Sequence, residues 1–514
     1  MIRSIFSVGG WTLVSRLTGF VRDIVMAAVL GAGPVADAFY IAFRLPNHFR
    51  AIFAEGAFNA AFVPAYARVA TQEGPGRARS FADGILTGVV VVQLVLLAFA
   101  LIDAERLVGL LAPGLAGDPP RFALAVEFTR ITFPYLGLIA MVTLIGGVLN
   151  ANDRFAAAAA ASILLNVAMV GTLSAAGWFS SAGHAAAWGV LISGFLQLGL
   201  LWFDAARHGL APRFGRPRLD PDTRRFLKAL GPAIIGSAGV QLALFADTLI
   251  VTFLPSGAVS ALFYADRINQ LPIGVVGIAA GIVLLPEMSR RLAAGDEAGA
   301  RTAQARTIEL TLLLTMPFVA GALTIPELIM RALFERGAFT SEAAAAAGAT
   351  LAAYAVGLLP FVVMRAFVAP FHARGDTRTP VIAALLAAAI NIALKVVLMG
   401  PMAQVGLALA TAIGGWVNLL LLALFAHQRG FLAGDAALAR AVPRLLAAGL
   451  ALAATLYAVA ELSAPLLAGL PALRQEARLL ACLVVGALAY GGLIWLLIGR
   501  RQLAELVRGR RRTA

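Results

Sequence analysis

Fourteen stretches of this chain are apolar for long enough to cross a lipid bilayer. They lie at about 5–30, 38–67, 81–102, 122–150, 155–178, 184–204, 226–253, 258–289, 306–329, 343–372, 379–399, 403–427, 439–463 and 476–499. A spanning helix needs about 20 such residues. Of the 514 residues, 60% are hydrophobic and only 13% are charged, more apolar surface than a water-soluble fold could hide. The pattern predicts an all-α polytopic membrane protein with fourteen transmembrane helices. Several stretches exceed the minimum length, so tilted or kinked helices are expected. The first is too long for the apolar core of a cleaved signal peptide and contains Arg16 and Arg22, so it is expected to stay in the mature protein.

The basic residues set the orientation. With the N-terminus in the cytoplasm, 27 of the 41 Lys and Arg fall in cytoplasmic segments, six in outer loops and eight within the apolar stretches. Such an imbalance predicts both termini inside. The net charge of +14 is accounted for by these loops, so it does not argue for nucleic acid as a partner.

The first six stretches recur in the next six. Phe39-Tyr40 matches Phe263-Tyr264, Asp23 matches Asp247, Pro64 matches Pro286, Gly137 matches Gly357 and Asn166 matches Asn391, at offsets of 220 to 225 residues. Six helices per unit bring both units in from the same membrane face, a parallel repeat about an axis along the membrane normal. The expected organisation is two pseudo-symmetric six-helix lobes at 1–205 and 229–430, joined by a basic linker at 206–228. Two added C-terminal helices follow at 431–500, then a basic tail at 501–514.

Charge breaks this symmetry. The first two stretches carry Arg16, Arg22, Arg44 and Arg50 with Asp23, Asp37 and Glu55. An arginine at the centre of a spanning helix costs roughly 2.5–3.5 kcal/mol on insertion scales, so it is expected to face a cavity or a partner. Asp37, Arg44 and Glu55 are spaced by seven and eleven residues, which returns a helix to nearly the same face. Arg50 falls off that stripe, and Pro46 interrupts the helix between. Arg16 and Asp23 share a face of the first helix. Some of these charges are expected to pair among themselves. The arginines outnumber the nearby acids, however, and a guanidinium fork suits a phosphate group. The second half offers Arg267 beside Asp266. It also holds Asp247 and Lys395, expected as a buried ion pair. Arg130 and Arg365 are candidates for groove or structural roles.

Enzyme signatures are absent from the sequence. There is no phosphate-binding Walker loop, no H-E-x-x-H, no nucleophile elbow and no Cys or His cluster of metal-ligand spacing. The sole cysteine, Cys482, lies in an apolar run, so no internal disulfide is possible. No cofactor or metal is expected, and transport would draw on gradients or on the membrane potential.

The runs VSRLTGFVRD (Val14–Asp23), GAGPVADAFYIAFRLPNHFRAIFAEGAFNAAFVP (Gly31–Pro64) and FYADRINQLPIGVVGIAAGIVLLP (Phe263–Pro286) closely resemble the MurJ/MviN family. These are bacterial lipid II flippases of the multidrug/oligosaccharidyl-lipid/polysaccharide exporter superfamily, and the likeness runs the whole length. It implies a transporter of the inner membrane that moves lipid II from the cytoplasmic to the periplasmic leaflet by alternating access, for peptidoglycan synthesis. It implies Arg16, Arg22, Arg50 and Arg267 as essential cavity arginines, Asp37 and Glu55 as cavity acids, and Ser260 as a further family position. The last two helices would form a groove for the polyprenyl tail. Lipid II and membrane lipids would be the partners of a monomeric protein, with cell-wall synthesis proteins as further candidates. Both substrate contact and a pair with Glu55 are open to Arg44.

An exporter of another polyprenyl-linked sugar would use the same arginines, so only the specific hairpin sequence argues against it. A multidrug cation antiporter would be expected to carry acids where this chain carries arginines. A scaffold for cell-wall enzymes would tolerate loss of those arginines, and a glycosyltransferase would need a large outer catalytic loop.

The chain departs from its family at one position. Members with a sodium-coupled design place an aspartate, an asparagine, a second aspartate and a threonine where this chain has Asp247, Asn391, Lys395 and Thr411. An ammonium group at Lys395 repels sodium and can itself neutralise Asp247. Sodium should therefore leave the thermal midpoint of the purified protein unchanged. A rise with sodium that disappears in Asp247→Ala would reverse this assignment.

Overall fold

The computed structural model describes residues 2–50, 57–215, 220–431, 436–469 and 473–498. Every regular element among them is a helix. Two compact units emerge, one of residues 1–260 with 336–340, the other of residues 261–335 with 341–514.

The first unit contains α1 (Ile2–Leu30), α2 (Pro34–Arg50), α3 (Ala57–Glu73), α4 (Pro75–Ile102), α5 (Ala104–Leu111), α6 (Pro119–Thr132), α7 (Tyr135–Ala151), α8 (Ala156–Ser174), α9 (Ala182–Arg207) and α10 (Pro221–Val251). Helix α1 packs on α8, α8 on α9, α2 on α6, and α3 on α4, α7 and α10. The repeat assigns α10 to the second lobe, whereas its packing places it with the first unit, on α3. Prolines open α2, α4, α6 and α10, where their fixed φ suits the first turn and the missing N–H is not needed. Asp118, Ser181 and Asp220 cap α6, α9 and α10 by accepting from backbone N–H groups of the first turn. Pro134 cannot donate to the ladder, and the stretch predicted as one helix over 122–150 is divided there into α6 and α7. The stretch at 38–67 is helical over its described residues, in α2 and α3, and residues 51–56 lie outside the described residues.

The second unit takes in α11 (Ala258–Pro272) from Ala261 onward, then α12 (Ile278–Ala293), α13 (Glu297–Thr324), α14 (Pro326–Phe334), α15 (Ser341–Val356), α16 (Leu358–His372), α17 (Arg378–Gln428), α18 (Ala436–Leu466) and α19 (Arg474–Ile498). Pro272 is followed by a π-helical turn over Ile273–Gly277 that leads into α12. Helix α17 holds two predicted spans. Its backbone breaks at Ala403, with φ 44° and ψ −126°, two residues after Pro401. The halves fold back on each other, since Gly406 meets Leu398 and Gly414 meets Asn391 in reverse order. Only glycine permits the closer approach, because a methyl group at Gly406 would overlap the Leu398 carbonyl. Helices α18 and α19 pack together and α18 lies on α13, with Leu452, Leu456 and Cys482 in the seam.

Ten described helices, counting those that run on from one another as one, are long and apolar enough to cross a membrane. Their outward faces are apolar, as on α4, where Val91, Val92, Leu94, Val95 and Phe99 are exposed.

The internal repeat extends into the turns. After α9, Leu210 N donates to Ala205 O at 2.8 Å, and after α17, Phe431 N donates to Ala426 O at 2.8 Å. Arg79 reaches the carbonyl of Gly209, and Arg301 reaches that of Gly430, 222 and 221 residues further on. A nearby ion pair recurs with its signs reversed. Arg154 faces Asp204 in the first unit, whereas Asp376 faces Arg429 in the second.

Two loops of the first unit are similarly related. Gly114, in the turn Pro113–Gly117, donates to Thr252 Oγ1 at 3.1 Å just past α10. Ala338 donates to Ala28 O at 2.8 Å near the end of α1. Gly337 has φ +55°, and a methyl group there would overlap the Ala28 carbonyl oxygen.

Gly337→Ala should therefore destabilise the protein by about 1–3 kcal/mol through left-handed strain and overlap. Gly117→Ala, which would meet nothing within 4 Å, should be nearly neutral; thermal melts of the purified variants make the comparison. A second test concerns Asp376. The backbone N–H and hydroxyl of Thr379, then the Arg429 guanidinium, hold its carboxyl at about 2 instead of the ordinary 3.8. A depressed pKa stabilises the fold above the unfolded value, and that gain is lost as pH falls through the folded value. The gap in melting temperature between the parent and Asp376→Asn should hold from neutral pH down to about 4 and close between about 4 and 2.

Candidate substrate site: buried charges of the first unit

Arg22 sits in the second half of α1 with 8% of its surface exposed. Its Nε and Nη2 donate to Asp23 Oδ1 at 3.1 and 2.7 Å, and its Nη1 donates to Asn166 Oδ1 at 3.0 Å. Adjacent residues on a helix diverge by about 100°, which would ordinarily keep them apart. The length of the arginine side chain lets its fork turn back on its neighbour. Asn166 arrives from α8, and its amide nitrogen donates to the Ser15 carbonyl and Thr18 Oγ1 at 3.1 and 3.0 Å. Gly19 lies beside the Asn166 amide, and a Cβ there would make ordinary contact with it at 3.5 Å. Asn166, singled out in the sequence as a repeat marker, therefore aims the guanidinium of Arg22.

Arg16 lies on the same helix, six residues earlier, and is exposed. Arg44 is half-buried on α2. Arg50 is the last residue of α2, but its side chain lies outside the described residues, as does Glu55 altogether. The pairing of Arg44 with Glu55 is thus outside what is described.

A second cluster surrounds Asp37, in the first turn of α2, with no exposed surface. Its carboxylate accepts from the Ser260 N–H at 2.9 Å, the Ser260 hydroxyl at 2.6 Å and the Gly257 N–H at 2.7 Å. These are donors at the start of α11, where unsatisfied N–H groups and the helix dipole favour an anion. Arg121 completes the cluster, with Nη1 3.5 Å from Asp37 Oδ2. Asp37 and Ser260, both predicted site residues, thus meet directly.

In the sequence Arg121 is one of the six basic residues that fall in outer loops. One signal pointed to more, because a cation in the first turn of a helix is opposed by the dipole and needs an acid nearby.

In the second unit Arg267 lies with its guanidinium carbon 4.6 Å from the centre of the Phe263 ring, one turn earlier on α11, which steadies the guanidinium plane. Lys395 is buried on α17, one turn beyond Asn391. Asn391 packs against Gly414 and its Oδ1 accepts no hydrogen bond, so it is used differently from Asn166. Thr411 donates to Leu407 O at 3.0 Å within its own helix. Asp247 is half-buried on α10. Arg130 faces Glu105 at 3.8 Å with both side chains largely exposed, and Arg365 lies exposed on α16 beside Gly281. Among the described residues no three His, Cys, Asp or Glu side chains gather as metal ligands.

Comparison with known proteins follows the same lines. The model of the family "Lipid II flippase MurJ" matches residues 26–470. A "Probable lipid II flippase MurJ" of Rhizobium meliloti (strain 1021) is 42% identical over 522 aligned residues, covering 100% of this chain and 97% of the relative. The "Lipid II flippase MurJ" of Burkholderia cenocepacia is 32% identical, with 97% of each chain covered. A solved lipid II flippase MurJ in an inward closed conformation superimposes with a TM-score of 0.79 at 24% identity, covering 96% of this chain and 99% of that one. An inward-facing multidrug resistance MATE transporter of the MOP superfamily shares the fold more distantly, with a TM-score of 0.65 at 15% identity over 81% of this chain and 94% of that one. A family match over most of the length, with relatives this similar end to end, makes the chain a member of the lipid II flippase MurJ family.

Proposed function

We propose that this chain flips lipid II from the cytoplasmic to the outer leaflet of the cytoplasmic membrane by alternating access through a cationic cavity. Membership of the flippase family supports the substrate and a transport role. The observation that carries the mechanism is the set of arginines on α1, with Arg22 buried and held by a single carboxylate and an amide. Arg16, Arg22, Arg50 and Arg267 are the diphosphate ligands in this reading, and Arg44 and Glu55 line the same path. Exposed Arg16 meets the substrate first. Three of the five N–H groups of Arg22 are already engaged, and in this reading a diphosphate takes the place of Asp23 to gain two of them. That exchange of one anion for another costs little net charge burial and makes the site responsive to substrate.

Asp37 and Ser260 have a different part. Their hydrogen bonds join the start of α2 to the start of α11, and breaking them frees that outer end for release. The lobes are residues 1–205 and 229–430, with 431–500 as the tail groove, both termini cytoplasmic and the monomer as the working unit. Asp247, Asn391, Lys395 and Thr411 carry no sodium in this scheme, because the lysine supplies the positive charge.

The test is exposure of lipid II on the outer face of cells depleted of their own flippase. The intact chain should restore exposure. Arg16→Ala, Arg22→Ala and Arg267→Ala should each reduce it at least about tenfold, the scale of one lost charge-assisted contact. Asn166→Ala should cause a smaller loss, because Arg22 keeps its charge but not its aim. Full activity in the arginine variants would leave these residues with structural roles only.

A further inference from the structure

The position of Arg121 is explained neither by membrane topology nor by the diphosphate site. It is 4% exposed, in the first turn of α6, where the helix dipole disfavours a cation. It makes contact in three directions. Nη1 lies 3.5 Å from Asp37 Oδ2, Nη2 donates to the carbonyl of Leu254 at 3.1 Å, and Nε lies 3.3 Å from Asp118 Oδ2. Leu254 lies in the short connection between α10 and α11. One guanidinium therefore touches the carboxylate that caps α11 and the backbone that leads into α11. The neighbouring turn Pro113–Gly117, which runs into α6, bonds Thr252 in the same connection.

We propose that Arg121 is the positioning residue of the outer closure, setting how long the α2–α11 junction stays shut during transport. This rests on the alternating-access reading above. The physical ground is the state of Asp37, which has no exposure to water and Arg121 at salt-bridge distance. Without that guanidinium, a fully buried carboxylate loses its charge partner, and the junction opens to bring it to water. The second arm acts on geometry, because the bond to Leu254 O holds the connection so that the Gly257 and Ser260 N–H groups point at the carboxylate. Lysine at this position keeps the charge but cannot reach both partners with a planar fork. The cost lies in an unbalanced charge, so removing both charges together restores the closure.

The experiment uses the full chain in cells, with Cys482→Ala removing the sole cysteine and Val259→Cys as a reporter in the buried first turn of α11. A membrane-impermeant maleimide added to intact cells reports opening on the outer face. Arg121→Gln should speed labelling about tenfold or more, the effect expected for an orphaned buried charge. Arg121→Lys should fall between it and the parent. The double variant Arg121→Gln with Asp37→Asn should return to within about threefold of the parent, a coupling that loss of packing would not produce. Labelling of Arg121→Gln at the parental rate, or a double variant that labels as fast as Arg121→Gln, overturns the proposal. If Arg121→Gln does not accumulate, Arg121→Lys and the double variant carry the same test, since faster labelling is expected only in the lysine variant. Lipid II exposure by the unsubstituted chain is measured in parallel. Its failure would sink the transport reading, while the labelling series would still decide whether Arg121 holds the junction.

Discussion

A carboxyl group removed from water has to be met by hydrogen-bond partners, and the start of α11 meets Asp37. Three hydrogen bonds and one guanidinium converge on a group with no exposed surface. Buried ion pairs add little net stability, because desolvation offsets attraction, but removing one partner is costly. Such a cluster therefore fixes geometry more than it adds free energy. Here it sets where α2 begins relative to α11, and through Leu254 and Thr252 it draws in the end of α10 and the turn before α6. Under the proposed alternating access, joints of this kind can both close and reopen. They are specific when intact and open with water at hand to resolvate the charges.

Arg22 follows the same principle with a different outcome. Its partner is the adjacent Asp23, and the pair is oriented by an asparagine from α8. The arginine is aimed without a remote acid to hold it. Arg267 is steadied on the face of Phe263. In the proposed reading an anionic substrate exchanges with the local partner of Arg22, whereas an arginine locked into a bidentate pair across helices would resist exchange.

The two halves of the repeat show what duplication preserves. Backbone solutions persist. The closing turns after α9 and α17 share their hydrogen bonds, and Arg79 and Arg301 both reach the glycine carbonyl that follows. Side-chain chemistry drifts around them. The pair of Arg154 and Asp204 has become Asp376 and Arg429, which conserves attraction while exchanging the signs. Asn166 is fully used, whereas its counterpart Asn391 has an acceptor left over. The cations of the candidate site gather in the first half because nothing in the repeated backbone demands them.

Helix content, the membrane environment and the repeat were legible in the sequence. Each depends on properties summed along a local stretch, such as the length of an apolar run, a proline at a helix start or a recurring pair like Phe39-Tyr40 and Phe263-Tyr264. The presence of unusual arginines at 16, 22, 44, 50 and 267 was legible for the same reason. Their partners were not. Helical spacing placed Asp37 on a stripe with Arg44, yet in the fold its carboxylate turns to Ser260 and Arg121, more than 200 and more than 80 residues away in the chain. Spacing put Asp23 on a face with Arg16, yet Arg22 holds it. Which acid meets which base depends on how helices pack side by side and on where one helix begins beside another. Those are properties of the tertiary structure, because no single stretch of sequence contains both members of the contact.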